Sequence, residues 1–347
     1  MHHKHSRVNC DKNKKMLVLK RSASKGDKMS TLSILHANTL KKSGRILKIS
    51  DLYGYYIVGN CNGLLLVQRY SPSCSLKELQ LWNSCIRKSL ILTAIPVRPN
   101  LIPRAMYLIG FTPGSKEYKV VVIVFEKCRI EKTTKMHVAV YRLSDQQWTV
   151  RNDGLDIDPL YFERLLECYH RKYRSNAIYF QGKAHWLGND QYGNSRQRNK
   201  STHLVSFDFD TEKFTISELP FALYETDSSS ALFVLGESLA IFSISGVSSS
   251  VRVLKKGEWT LWSTGISSED GCKVFSSYLV EYSWRNVFYC ESDGAGCLIC
   301  GKYSYNIATC QVKKLTKSKS FDFELDTYSE SLVLLKGYGV KDLMSFT

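Results

Sequence analysis

Residues 56–67 read YIVGNCNGLLLV, two short apolar runs folded back about Asn62-Gly63, and this stretch decides the fold class. Asn-Gly between apolar runs signals a two-residue hairpin, because both turn positions need positive φ and these residues tolerate it. The unit recurs at Ile178 to Leu187 about Gln181-Gly182, Leu232 to Ile244 about Gly236, and Val287 to Ile299 about Asp293-Gly294. Leu108 to Phe125, turning at Pro113-Gly114, fills the same slot. After each comes a second hairpin whose return strand carries a large residue: Leu81-Trp82 to Leu92, Val138 to Val150 with Trp148, Val205 to Ile216 with Phe214, and Val251 to Trp262 through Trp259. Tyr303 to Leu315 is a weaker fifth copy.

Two alternating hairpins per unit, stepping along the chain by roughly 50 to 70 residues, are the signature of propeller blades. The expected fold is therefore all-β, a β-propeller of five to six four-stranded blades, with six favoured. Ring closure also disposes of edges, since an open sheet of that many strands would expose long unpaired backbone. Ser331 to Leu335 is the apolar run expected to complete a blade begun by Ser30 to Leu35 or Ile46 to Ile49. A pair of β-sandwiches ranks second, because it would not show the alternation of hairpins.

Outward from this core, residues 1–28 form a basic N-terminal segment, 29–340 the propeller, and 341–347 a C-terminal tail. Met16 to Leu19 is the one apolar knot in the first segment, and it fits a helix end or a docking strand. Pro159 to Tyr173 has Tyr161, Leu165, Leu166 and Tyr169 at helical spacing, which fits a helix or an excursion between strands.

The chain has 347 residues and a formal charge of +16, but residues 1–50 hold 13 Lys and Arg against Asp11 and Asp27. The rest is nearly ordinary, so a nucleic-acid reading rests on the first 50 residues alone and is not favoured. With 44% apolar and 23% charged residues the chain is globular. The longest apolar run, Val120 to Phe125, is of strand length, and the polar start lacks an apolar h-region, which predicts no membrane span and a cytoplasmic or nuclear address. Eleven scattered cysteines in such a compartment read as buried thiols rather than a disulfide framework.

Motifs for chemistry are weak. Cys290, Cys297, Cys300 and Cys310 offer one CxxC where a zinc ribbon needs two, and Cys297 to Cys300 reads as a strand. Gly296 to Lys302 has the outline of a phosphate-binding loop but is apolar where the loop must curl, with Tyr303 in the hydroxyl position. Asp208 to Glu212 starts like a calcium loop, yet Lys213 stands where glycine is required, so a hairpin turn is expected. Asp153, Asp156 and Asp158 read as loop solvation, and His185 has no nucleophile spacing around it. No catalytic, metal or cofactor residue is assigned, and the chain reads as non-enzymatic.

Several segments resemble the plant F-box-associated propeller domain, the C-terminal substrate-receptor half of many F-box proteins. Gly59-Asn60-Cys61-Asn62-Gly63-Leu64-Leu65 resembles the family's G-S-C-N-G-L-L, and Leu81-Trp82-Asn83-Ser84-Cys85-Ile86-Arg87-Lys88 its L-W-N-P-x-x-R-K, with Ser84 in place of proline. Gly110-Phe111 with Glu117 to Val121 is similar to G-F…D-Y-K-V-V, and Val140 to Leu143 with Trp148 to V-Y-S-L…W. Gly182 to Leu187, carrying His185-Trp186, matches G-x-x-H-W-L, and Ser206 to Phe209 with Glu212, Phe214 and Leu219-Pro220 matches S-F-D-L…E-x-F…L-P. Asn62, Gly63, Asn83, His185, Trp186 and Asp208 in these motifs read as structural, and Trp82, Tyr141, Trp148, Phe207, Phe214, Trp259 and Trp262 recur at equivalent blade positions, as core packing between sheets requires.

The resemblance implies a substrate-recognition component of an SCF-type cullin ubiquitin ligase, acting by proximity on a protein substrate, with adaptor and cullin subunits as partners. The helical F-box that precedes the propeller in this family is missing from the sequence, and His2 to Arg21 resembles the junction that follows it. The alternative is a free-standing propeller scaffold or decoy uncoupled from the ligase. Recognition is expected in the loops Glu126 to Lys135, Gly154 to Arg174 and Asn189 to Lys200. In the last, Tyr192, Arg196, Arg198 and Lys200 form the candidate partner-binding set, suited to an acidic or phosphorylated segment.

Overall fold

The structure is a computed structural model. It describes residues 15–21, 30–36, 47–49, 55–69, 78–97, 105–128, 133–151, 157–167, 177–189, 202–221, 228–245, 248–266, 286–290, 296–300, 303–306, 309, 311–314, 323–328, 331, 333, 335 and 340–342. The strands in chain order begin with β1 (Lys15–Arg21), β2 (Ser30–His36) and β3 (Leu47–Ile49). They continue with β4 (Tyr55–Cys61), β5 (Leu64–Arg69), β6 (Leu79–Asn83), β7 (Lys88–Ile91), β8 (Met106–Thr112), β9 (Glu117–Cys128), β10 (Thr133–Arg142) and β11 (Gln147–Arg151). The helix α1 (Pro159–Glu167) precedes β12 (Ile178–Phe180), β13 (Lys183–Asn189), β14 (Thr202–Asp208) and β15 (Lys213–Glu218). After these come β16 (Ser228–Leu235), β17 (Ser238–Ser245), β18 (Ser248–Lys255), β19 (Glu258–Ile266), β20 (Asn286–Cys290), β21 (Gly296–Cys300), β22 (Tyr303–Asn306), β23 (Gln311–Lys314), β24 (Phe323–Tyr328) and β25 (Val340–Asp342).

These strands gather into six sheets. Four have sequential order: β8 to β11, β12 to β15, β16 to β19 and β20 to β23. In a fifth, β4 to β7 take β25 as an additional edge strand, and the sixth runs β24-β1-β2-β3. The repeated double hairpin is therefore real, including the weakly patterned copy at Tyr303, where β22 pairs with β23. Cys297 and Cys300 lie in β21, paired with Asn306 and Tyr303, so residues 296–300 of the GxxxxGK-like stretch are extended strand, while 301 and 302 lie outside the described residues.

Two expectations need correction. Ser331, Val333 and Leu335 are not in a strand, and the strand that meets the start of the chain is β24, whose Phe323 to Tyr328 pair with Lys20 to Lys15 of β1. Met16 to Leu19 is thus a docking strand. The helix expected from Pro159 is present over Pro159–Glu167, and Tyr169 lies among residues 168–176, outside the described set. Asp158, read as loop solvation, caps it: its carboxylate oxygens accept from Leu160 N at 3.1 Å and Tyr161 N at 3.2 Å. Pro159 at the first helical position suits that start.

The chain forms two compact units, one of residues 1–27, 31–46 and 223–328, the other of residues 28–30, 47–222 and 329–347. In the second unit, one side of the β8–β11 sheet packs on β4–β7 through Tyr107, Ile109, Val120, Val122, Ala139 and Tyr141. Its other side, with Leu108, Val121, Ile123, Val138 and Val140, packs on β12–β15 and α1. Period-two alternation of large apolar residues on both faces is what a sheet sandwiched between two others requires. The separation is set by glycines: a Cβ on Gly59 would lie 2.7 Å from Ile109 Cγ2, and one on Gly110 would lie 2.0 Å from the Phe209 ring. In the first unit, Phe242 and Tyr305 meet with tilted rings and centroids 5.2 Å apart, and Ser249 Oγ lies 2.7 Å from Tyr305 Oη.

Candidate functional site

The two ends of the second unit are built differently. At one end the chain reverses in turns of two or four residues. Asn62 and Gly63 take φ of 47° and 82°, and Gln181 and Gly182 take 48° and 78°, the pair of positive values a two-residue hairpin demands. The four-residue turns end on a left-handed residue, at Arg87, Lys116, Gln146 and Glu212. Two of them open on a side-chain cap: Asn83 Oδ1 accepts from Cys85 N at 3.0 Å, and Asp208 Oδ1 from Asp210 N at 2.9 Å and Thr211 N at 3.1 Å. The β22–β23 turn repeats the device, with Asn306 Oδ1 accepting from Thr309 N at 2.9 Å. The calcium-like stretch is this capped turn, and Asp208 also pairs with Lys183 at 3.1 Å.

An ion cluster ties adjacent sheets. Glu212, 5% exposed, receives Lys119 Nζ at 2.9 Å and Arg142 Nη2 at 2.8 Å on Oε1. Arg151 Nη2 stands 2.9 Å from Oε2 at ion-pair distance, without the alignment of a hydrogen bond. Lys119 Nζ also donates to Phe209 O at 2.8 Å. Three strands of one sheet thus converge on one carboxylate of the next. Sequence reasoning missed this cluster; its visible trace is Lys119 between Tyr118 and Val120, a charge in a strand buried on both faces.

The motif aromatics occupy the layers between sheets. Trp82 is buried and donates to Gln80 Oε1 at 2.7 Å. Tyr141 and Trp148 meet with tilted rings at 5.1 Å, and Trp148 Nε1 donates to Thr93 O at 3.1 Å. Trp186 and Phe214 enclose Phe162 of the helix, while Phe207 meets Phe214 at 4.9 Å. Trp259 sits on β19 opposite Leu254. His185 Nδ1 lies 2.8 Å from Ser206 Oγ.

Burial pushes the His185 imidazole down to about 4, so it is neutral in the fold near pH 7. An unfolded histidine titrates near ~6.5, so the unfolded chain takes up this proton first as the medium is acidified. Stability from this group is complete above about pH 6.5 and is lost as pH falls toward about 4, a few kcal/mol at most. Urea midpoints between pH 7 and pH 4 are expected to fall less steeply for His185→Gln than for the native chain. An identical slope would assign the acid sensitivity elsewhere.

At the opposite end two of the three connections are long, while the one between β9 and β10 has four residues. Segments 129–132, 152–177 and 190–201 leave from Cys128 and Thr133, from Arg151, and from Asn189 and Thr202, all at the far end from the turns. The helix belongs to this end: Glu163 pairs with Lys127 of β9 at 3.0 Å, and Tyr161 Oη lies 3.3 Å from His203 Nε2 of β14. Phe162, Leu165 and Leu166 seat it in the apolar seam. The anchors of all three expected recognition loops are brought to one end of neighbouring sheets. Tyr192, Arg196, Arg198 and Lys200 themselves lie outside the described residues.

Burial pushes the Cys61 thiol far above its ordinary value, leaving it an unreactive packing group. Among the described residues no cluster of His, Cys, Asp and Glu is placed to hold a metal, and no helix is long and apolar enough to cross a membrane.

Radially repeated antiparallel sheets with short turns at one end define a β-propeller. The chain belongs to the F-box associated β-propeller domain family, whose model matches residues 10–335. Similar curated proteins are a probable F-box protein of Arabidopsis thaliana, 24% identical over 186 residues, and a putative F-box protein of the same plant, 24% identical over 191. Each match covers 53% of this chain and, respectively, 38% and 44% of the relative, so the chain spans about two fifths of their length. Among solved structures, TolB from Acinetobacter baumannii is similar over 93% of this chain and 68% of its own, at 12% identity and a TM-score of 0.46. The β-propeller domain of the Trilobed protease from Pyrococcus furiosus is similar over 90% of this chain and 86% of its own, at 9% identity and 0.36.

Proposed function

We propose that this propeller is the substrate-recognition part of a cullin-type ubiquitin ligase, binding a protein partner through the loop-bearing end of its second unit. The supporting observation is a division of labour: Asn83, Asp208, Trp186 and Glu212 are spent on turns, seams and caps, while the long connections leave together from the other end. A rigid frame presenting variable loops is how recognition surfaces are commonly made. Family membership and the F-box names of its relatives supply the ligase context. The mechanism is proximity, since holding a substrate beside a charged ubiquitin-conjugating enzyme raises the effective concentration of its lysines. No catalytic group of the propeller takes part.

The test is affinity capture of the tagged 347-residue chain from plant cells with the proteasome blocked. A second bait carries residues 190–200 replaced by a Gly-Ser linker. Adaptor and cullin subunits are expected with both baits, and substrates with the native loop only. Capture of other proteins without adaptor and cullin would make the chain an uncoupled scaffold. Unchanged substrates with the replaced loop would move recognition to another surface.

A further inference from the structure

The Glu212 cluster does not balance its own charge. Lys119, Arg142 and Arg151 bring three cations to one carboxylate, and no other carboxylate among the described residues lies at ion-pair distance from any of them. Two positive charges are left over. A third cation adds repulsion from two like charges to the attraction of a single carboxylate, so stability alone does not account for it. The surplus lies at the surface, because Lys119 is buried with Glu212 while the side chains of Arg142 and Arg151 are 26% and 47% exposed. Register brings the two arginines together: they stand on β10 and β11, on the face of their sheet that carries Val138 and Val140. Arg142 is held at both tips of its fork, Nη1 donating to Thr149 Oγ1 at 3.0 Å and Nη2 to Glu212 Oε1 at 2.8 Å. Arg151 meets Glu212 through charge without a hydrogen bond, which leaves its donors uncommitted among the described residues.

We propose that Arg142 and Arg151 form a binding site for a phosphoryl dianion. A phosphate group near neutral pH carries about two negative charges and offers several strong acceptor oxygens, so it matches the surplus where a single carboxylate would leave one cation unbalanced. Guanidinium suits it, since the planar fork meets two phosphate oxygens at once. Arg142 supplies a fork already held in place, and Arg151 one that can turn to the ligand without breaking a hydrogen bond. Glu212 is the positioning residue: it fixes Arg142 and neutralises Lys119, while the ligand takes the charge left over. Free phosphate and a phosphorylated side chain of a protein partner carry this same chemistry. The site stands whether or not the chain joins a ligase.

The test is calorimetric titration of the full chain with inorganic phosphate, with sodium chloride adjusted to hold the ionic strength constant so that screening does not change. One saturable site is expected, with a dissociation constant of about 1 mM or tighter. Arg151→Gln should weaken it by about tenfold or more, because one charged fork is lost. Lys213→Gln, which removes an exposed cation next to Glu212 in the chain, should bind as the native protein does. Capped phosphothreonine titrated in the same way separates the two sources: tighter binding than inorganic phosphate assigns the site to a phosphorylated segment, equal or weaker binding to free phosphate. A native chain left unsaturated by about 20 mM phosphate would overturn the proposal. So would native affinity in Arg151→Gln, or an equal loss in Lys213→Gln, which would reduce the attraction to a diffuse field. If Arg151→Gln does not fold, Arg151→Lys serves instead: it keeps the charge and loses the fork, and binding about threefold weaker is expected. Unchanged binding in that variant would also refute the site.

Discussion

Replacing Glu212 with alanine is expected to cost about 3 to 5 kcal/mol, the range for deleting one partner of a buried ion pair. The loss arises mainly from what remains behind. Lys119, 6% exposed, keeps its bond to Phe209 O but loses the carboxylate that balances its charge, and Arg142 and Arg151 are left facing it. The double variant Lys119→Met with Glu212→Gln should recover part of this, because Met removes the buried charge and Gln keeps an acceptor for Arg142. Urea midpoints for the single and double variants measure both effects. A loss below about 1 kcal/mol for Glu212→Ala, the value of an exposed pair, would show that the cluster does not tie the sheets.

Removal of residues 1–28 is expected to abolish cooperative folding of the first unit. That cut follows the boundary drawn from the basic composition, yet it takes out β1, which lies between β24 and β2 in its sheet. Six consecutive residues of β24 lose their partners, and two edges are exposed at once. Hydrogen exchange at residues 323–328 should accelerate by roughly two orders of magnitude or more, since those amides would no longer need sub-global opening. A chain starting at residue 11 retains β1 and should behave as the full one. Equal protection of residues 323–328 in the chain starting at residue 29 would show that β1 does not hold the seam.

Local structure was legible because its signals are local. Asn62-Gly63 and Gln181-Gly182 need positive φ, and the apolar runs beside them leave one way to fold. The aromatic returns at Trp148 and Phe214 were legible for the same reason. Long-range choices were not. Phe323 to Tyr328 alternates charge with apolar residues and looks weaker than Ser331 to Leu335, yet it supplies the strand, while the apolar run supplies Leu335 to the core and two carbonyls to Asn83. Hydrophobicity says that a segment is buried, but pairing depends on a partner elsewhere in the chain. The Glu212 cluster was hidden likewise, because Lys119, Arg142 and Arg151 become neighbours only when three strands align. The common end of the three loops follows from strand direction, which sequence periodicity leaves open.

The pairing of β1 with β24 also sets the order of events during synthesis. β1 leaves the ribosome about 15 to 60 s before its partner β24 at ordinary rates of elongation, because the two strands are far apart in sequence. Sheets made of sequential hairpins can form as they appear, since their closing loops are short. The β24-β1-β2-β3 sheet cannot, and its open edge is the nascent chain's period of greatest vulnerability to mispairing. Shielding that edge is the task this topology hands to chaperones, and slow translation would lengthen it.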